Sequence, residues 1–101
     1  MDFRHLLEQA QNFQRHLAQI DEDLGQVHVT ATAGGGVVEA QVDGLGKVTG
    51  ITIDPELLAG GDAGLVQQTV LAAVTQAQEQ AHAKREEQRA KLLGDLQLPD
   101  L

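Results

Sequence analysis

The chain has 101 residues and a formal net charge of −8 at pH 7, so the molecule as a whole should not be attracted to nucleic acid or to an anionic membrane. It contains no Cys and no Ser, which excludes disulfides, thiolate metal sites and the two commonest nucleophiles. No leader segment is recognisable and no apolar run approaches the roughly 20 residues of a membrane span, so we expect a soluble cytoplasmic protein without a membrane partner.

The first predicted element is a helix from Phe3 to Leu24, ended by Gly25. Its apolar residues recur every three or four positions, the a/d pattern of a helix that packs against another helix. They are Phe3, Leu6, Ala10, Phe13, Leu17, Ile20 and Leu24. We expect Leu6, Ala10, Phe13, Leu17 and Ile20 to form a dimer interface. The acidic residues 21–23 lie in the last turn, where negative charge opposes the helix dipole.

From Gln26 the apolar period changes to two, which predicts three strands. Gly34 to Gly36 supply the first turn and the stretch from Asp43 to Lys47 supplies the second. The residues expected on one face are Val27, Val29 and Ala31 in the first strand, Val38, Ala40 and Val42 in the second, and Thr49, Ile51 and Ile53 in the third.

A short helical turn follows through Leu58, with Asp54 as its N-cap and Pro55 at its first position. Asp62 is the expected cap of a second long helix that runs to about Leu93 and stops at Gly94. The apolar stripe of this helix comprises Val66, Val70, Ala73, Val74, Ala77 and Ala81. The whole therefore reads as one α+β domain, α-β-β-β-α, with a three-stranded antiparallel sheet and two long helices: residues 1–94 form the folded core and 95–101 a flexible tail.

The last third of the second long helix replaces the apolar stripe with basic residues. Lys84, Arg85, Arg89 and Lys91 fall within an arc of about 160°, and a helix of about 46 Å must project beyond strands of about 20 to 24 Å. Such an arm could line a cleft for a polyanion. The alternative is a charged, solvated helix end in which Glu87 pairs with Lys91 four residues later.

Other chemistries find little support in the residue pattern. Gly34 to Gly36 lack the rest of a phosphate-binding loop, and the acidic pair Asp54 and Glu56 is explained by helix capping. The four histidines, at positions 5, 16, 28 and 82, show no metal-ligand spacing. We therefore expect no catalytic, cofactor or metal site, and no enzymatic activity.

The ordered set of elements resembles the YbaB/EbfC family of bacterial nucleoid-associated proteins. The most specific part is the stretch Lys47 to Leu58, KVTGITIDPELL, and the similarity extends over nearly the whole chain. The resemblance implies a tight homodimer shaped like tweezers that binds DNA with its projecting helices. The DNA-contacting residues would be Lys84, Arg85, Arg89 and Lys91, with Arg4 and Arg15, on the face of the first helix opposite its stripe, as secondary candidates.

Two functions remain open. The first is a nucleoid-associated protein that binds double-stranded DNA as a homodimer, through phosphates and with little sequence specificity, in nucleoid organisation, gene regulation or DNA repair. The second is an acidic dimeric adaptor that binds a DNA-repair or recombination protein without touching DNA. The absence of Tyr and Trp argues against single-strand stacking platforms in either case.

Overall fold

The computed structural model describes residues 2–95, and residues 96–101, assigned to the flexible tail, lie outside the described residues. The elements confirm the predicted order, with a short helix after the sheet. They are α1 Phe3–Leu24, β1 His28–Ala33, β2 Val38–Asp43, β3 Val48–Ile53, α2 Pro55–Ala59 and α3 Ala63–Asp95. The two predicted helix N-caps are confirmed. The carboxylate of Asp54 accepts a hydrogen bond from the backbone N–H of Glu56, and that of Asp62 accepts one from the backbone N–H of Leu65.

The three strands form one antiparallel sheet in the order β1-β2-β3. One face of the sheet packs against α3 and carries the buried residues Val29, Ala31, Val38, Ala40 and Val42. The opposite face carries polar side chains, among them three threonines and Gln41, which are exposed. The sheet is therefore covered on one side only, and the alternation predicted for the first two strands is confirmed.

The third strand departs from strict alternation. Gln41 pairs with Gly50 but the next residue, Val42, pairs with Val48, so Thr49 is an extra residue in a β-bulge. Because directly paired residues share a face, Val48 lies on the same side as Val42 and Ile51. Strict alternation along the third strand would place Val48 on the opposite face from Ile51 and Ile53. That expectation is wrong, since a period of two holds only while the pairing is regular.

Helix α3 packs on the sheet through small residues. Ala73, Ala77 and Ala81 are fully buried, and their four-residue spacing keeps all three on the side that meets the sheet. The helix then continues to Asp95, about 21 Å beyond Ala81. The prediction that it stops at Gly94 is wrong, because a glycine costs an α-helix only about 1 kcal/mol relative to alanine and does not break it.

Helix α1 meets the sheet at its C-terminal end. The carbonyl oxygen of Leu24 accepts a hydrogen bond of 2.8 Å from the backbone N–H of Gly44, and Leu24 is buried. A Cβ atom on Gly44 would lie 2.4 Å from that oxygen, so only glycine allows this approach. The adjacent turn is shaped by the carboxylate of Asp43, which accepts hydrogen bonds of 2.9 Å from the backbone N–H groups of Leu45 and Lys47.

The subunit is elongated. Its extents are 69 × 23 × 16 Å and its radius of gyration is 19.8 Å, against about 13 Å for a compact chain of this length. The accessible surface of 7371 Å² is about a third larger than the roughly 5,500 Å² expected for a monomer of 10.8 kDa. An isolated copy therefore leaves an unusual amount of surface uncovered.

A candidate nucleic-acid interface

Residues 84–91 of α3 form the most positively charged stretch of the chain, and we call them the basic segment. They contain four of the seven lysines and arginines together with Glu86 and Glu87, so the segment carries a net charge of +2 in a chain of net charge −8. The segment begins three residues after Ala81, the last fully buried residue of the helix. Its charges are thus placed where α3 has left the sheet.

The two lysines of the basic segment are exposed. Lys84 and Lys91 continue the side of α3 that meets the sheet further back along the helix, so they project from the inner face of the arm. Lys91 lies 3.6 Å from the carboxylate of Glu87, and both side chains are 65% exposed. The interpretation of a Glu87–Lys91 pair is therefore confirmed. An ion pair at this exposure is weak, so Lys91 as well as Lys84 is accessible to an anion.

The two arginines of the basic segment contact α1. Arg85 donates from Nε and from one terminal nitrogen to the two carboxylate oxygens of Asp21, at 3.2 and 3.0 Å. A terminal nitrogen of Arg89 lies 3.8 Å from the same carboxylate. The Nε atom of Arg89 is buried and has no hydrogen-bond partner among residues 2–95. We call these three side chains the Asp21 cluster.

The Asp21 cluster is the part of the site that sequence reasoning missed. The acidic residues at the end of α1 stood out only as an unfavourable charge at a helix C-terminus, whereas Asp21 in fact offsets two cations of another helix. Asp21 and Arg85 are 64 residues apart in the chain. No local spacing signals a contact at that separation.

The secondary candidates are placed on α1, apart from these contacts. Arg4 and Arg15 are exposed on the face opposite the apolar stripe, and neither takes part in an ion pair within the described part of the chain. The structure therefore brings Arg85 and Arg89 together on Asp21, and it joins neither Arg4 nor Arg15 to them.

The apolar stripe of α1 is poorly covered in the isolated subunit. Phe3 is 72% exposed, Leu6 is 41% exposed, and Leu7, which the stripe as predicted omits, is 50% exposed. Ala10 is also exposed, and the next members, Phe13, Leu17 and Ile20, are only half-buried. Several large apolar side chains along one helix are thus left exposed or half-buried, which is typical of an interaction surface.

The glycine run that was considered as a phosphate-binding loop has a structural role. Gly34, Gly35 and Gly36 all have positive φ angles and close the turn between β1 and β2, with no helix N-terminus behind them. Residues 2–95 contain no cluster of three potential metal-ligating side chains. Within the same range, no helix is both long enough and apolar enough to cross a membrane.

Comparison with known proteins gives a consistent result. The model of the YbaB/EbfC DNA-binding family matches residues 1–96. The chain is 36% identical over its full length to a nucleoid-associated protein of Desulfotalea psychrophila, covering 95% of that protein. It is 38% identical, over 94% of its length and 80% of the relative, to one of Rhodococcus opacus.

A solved structure supports the fold as well. The crystal structure of an uncharacterized protein of Helicobacter pylori superposes with a TM-score of 0.83 at 25% identity, over 92% of this chain and 98% of the other. The family model, the two relatives and the solved structure each match more than nine-tenths of this chain. The chain belongs to the YbaB/EbfC DNA-binding family.

Proposed function

We propose that the protein is a nucleoid-associated protein that binds double-stranded DNA as a homodimer, through phosphate contacts and with little sequence specificity. The observation that carries the proposal is the basic segment, a net positive stretch on an arm that projects from an otherwise acidic molecule. The family description and the names of the bacterial relatives agree with it. The protein would act in the cytoplasm at the nucleoid, in nucleoid organisation, gene regulation or DNA repair.

The proposed contacts are ionic. The basic segment is about 10 Å long, and the same length of duplex carries about six phosphates, so phosphate charge is in excess at any point along DNA. Lys84 and Lys91 are exposed, and the neighbouring Arg85 and Arg89 belong to the Asp21 cluster. Charged contacts to phosphates carry no base information, which accounts for the low sequence specificity proposed here. Arg4 and Arg15 are proposed as secondary contacts.

The proposed dimer uses α1. Its stripe residues Leu6, Ala10, Phe13, Leu17 and Ile20 are exposed or half-buried in one copy, and a second copy offers the same stripe in return. Stable obligate dimers bury roughly 2,000 Å² or more in total, or about 1,000 Å² from each copy, which lies within the surface excess of this elongated subunit. We further propose that residues 1–101 act as a single domain.

A second function is favoured by one observation, the net charge of −8. An acidic dimer could recruit a DNA-repair or recombination protein without touching DNA. Repulsion between the acidic remainder and DNA should make direct binding weak at physiological salt under the first proposal, so the two functions differ most clearly at low salt.

The decisive experiment is a titration of duplex DNA over a range of salt concentrations. If about half of the eight arm cations of a dimer contact phosphates, log affinity should fall against log salt with a slope of about −4. The double variant Lys84→Gln/Lys91→Gln removes charge from the arm while leaving the Asp21 cluster intact, and we expect the slope to decrease in magnitude by about 2. Replacing Arg85 and Arg89 with Gln in addition should abolish most of the remaining slope.

The matched control is Arg4→Gln/Arg15→Gln, which removes the same charge from α1. We expect it to reduce the slope less than the lysine pair. An equal loss in both variants would show that the contact surface is not the basic segment. Failure of the wild-type protein to bind any duplex at low salt would favour the adaptor function instead.

A further inference from the structure

We infer that Asp21 competes with DNA phosphates for Arg85 and Arg89, so that the Asp21 cluster restrains DNA binding in the free protein. The inference rests on the proposed function, because it concerns the same basic segment. It adds an internal competitor: an acidic side chain of α1 occupies the arginines of α3 until a stronger anion displaces it.

The geometry of the first arginine supports this competition. Arg85 presents Nε and a terminal nitrogen to the two oxygens of Asp21, at 3.2 and 3.0 Å. This two-pronged arrangement is the one that a guanidinium group also uses to bind two phosphate oxygens. A phosphate that engages Arg85 in the same way must therefore displace Asp21.

The second arginine is held less well. Arg89 approaches Asp21 only to 3.8 Å, which is beyond hydrogen-bonding distance, and its buried Nε has no partner in the part of the chain that the structure describes. A buried donor without an acceptor is unfavourable, so a rearrangement that turns Arg89 outward costs little. Two cations share one carboxylate, which leaves the cluster with a net charge of +1 toward an incoming anion.

The exposure of the cluster makes the exchange feasible. The side chains of Asp21, Arg85 and Arg89 are 33%, 31% and 37% exposed, so a polyanion can reach them. An ion pair this close to solvent is weak, whereas duplex DNA presents one charge for about every 1.7 Å of its axis. Phosphates should therefore displace Asp21 when the basic segment is placed on DNA.

The exchange also affects the two long helices. The Asp21 cluster links the end of α1 to the projecting part of α3, so a DNA molecule that takes both arginines removes this link. DNA binding and the α1–α3 contact at this point are thus opposed. Neutralising Asp21 should tighten DNA binding, in contrast to what is expected of a residue that merely positions the arm.

The test compares Asp21→Asn with Glu22→Gln by duplex titration at low salt. Both variants remove one negative charge at the same end of α1, but the exposed Glu22 makes no ion pair within residues 2–95. Asn keeps an oxygen that can accept a hydrogen bond from Arg85. We expect Asp21→Asn to bind about tenfold more tightly, or about threefold for each of the two copies in the dimer, and Glu22→Gln to change affinity by no more than about twofold. In an Arg85→Gln background the gain should largely disappear.

The outcomes separate this inference from the proposed function. If the wild type binds DNA and Asp21→Asn binds equally or less tightly, the inference is wrong and the proposed function stands. Equal gains from both variants would also overturn it, because total charge would then explain the result. Wild-type protein that fails to bind DNA at low salt would overturn both.

A measurement on the wild-type protein does not depend on how the variant folds. The Nε–H group of Arg85 can be followed by NMR in the free protein and with saturating duplex. We expect its signal to shift on DNA addition as the acceptor changes from carboxylate to phosphate. An unchanged Arg85 signal in the saturated complex would overturn the inference.

Discussion

The two long helices solve the problem of an apolar face in different ways. Helix α3 presents alanines to the sheet of its own chain and buries Ala73, Ala77 and Ala81 completely. Helix α1 presents Phe and Leu side chains, and most of them stay exposed or half-buried in the isolated subunit. Small residues suit a close approach within one chain, whereas large exposed residues gain stability only when a partner covers them. In the proposed dimer, α1 is therefore the helix whose apolar side chains would be covered by the second copy.

Replacing Phe13 with Ala would test the dependence of α1 on a partner and should have the largest effect. If the ring is buried between two copies, its removal should destabilise the dimer by about 3 to 5 kcal/mol and lower the melting temperature. The shift should grow as the protein is diluted, because the lost contacts belong to association. Thermal melts at several concentrations, with sedimentation, provide the measurement. Gln14→Ala, at the exposed neighbouring position, is the control.

Melting of Phe13→Ala near the wild-type temperature at every concentration would place the stripe in solvent. A stable, folded wild-type monomer at micromolar concentration would contradict the proposed dimer itself.

Replacing Ala77 with Leu would test the close contact of α3. Ala77 is fully buried against the sheet, so the added carbons should destabilise the subunit by about 1 to 3 kcal/mol through overpacking. Ala72, which is exposed on the same helix, provides the matched control as Ala72→Leu. Urea unfolding gives the free energy of unfolding for both variants. If both variants lost a similar amount of unfolding free energy, the close packing of Ala77 against the sheet would not explain the effect.

Replacing Glu87 with Gln should have the smallest effect. It would test whether the basic segment of α3, unlike the part packed on the sheet, depends little on side-chain contacts for its stability. The pair of Glu87 with Lys91 is exposed and four residues apart, so stability should change by no more than about 0.5 kcal/mol. DNA affinity at low salt should rise slightly, because Lys91 loses a competing anion. Glu86→Gln is the control of equal charge. A loss above 1 kcal/mol would show that charge pairs, rather than helix propensity, maintain the arm.

The sequence was sufficient for the architecture because each element carries a local signal. The four-residue spacing of alanines in α3, the glycine turn before Val37 and the capping residues Asp54 and Asp62 all depend on near neighbours, and the structure confirms them. The bulge at Thr49 was not predictable in this way, since it arises from pairing with another strand.

The candidate site was predictable only in part. The cations of the basic segment are evident from helical periodicity, and their position beyond the sheet follows from the length of α3. Their partner, Asp21, depends on how α1 crosses α3, which is determined by tertiary packing. Local patterns therefore identify which residues carry charge but not which charges are already paired.

The contact between Gly44 and Leu24 has a mechanical consequence. It fixes one end of α1 to the turn between β2 and β3, so this turn acts as the pivot of a lever about 33 Å long. A rotation of roughly 10° at the pivot would move the far end of α1, at Phe3, by about 6 Å. In the proposed dimer, the angle at which two copies meet through α1 would therefore depend on a backbone contact at the opposite end of the helix, which only a glycine at position 44 allows.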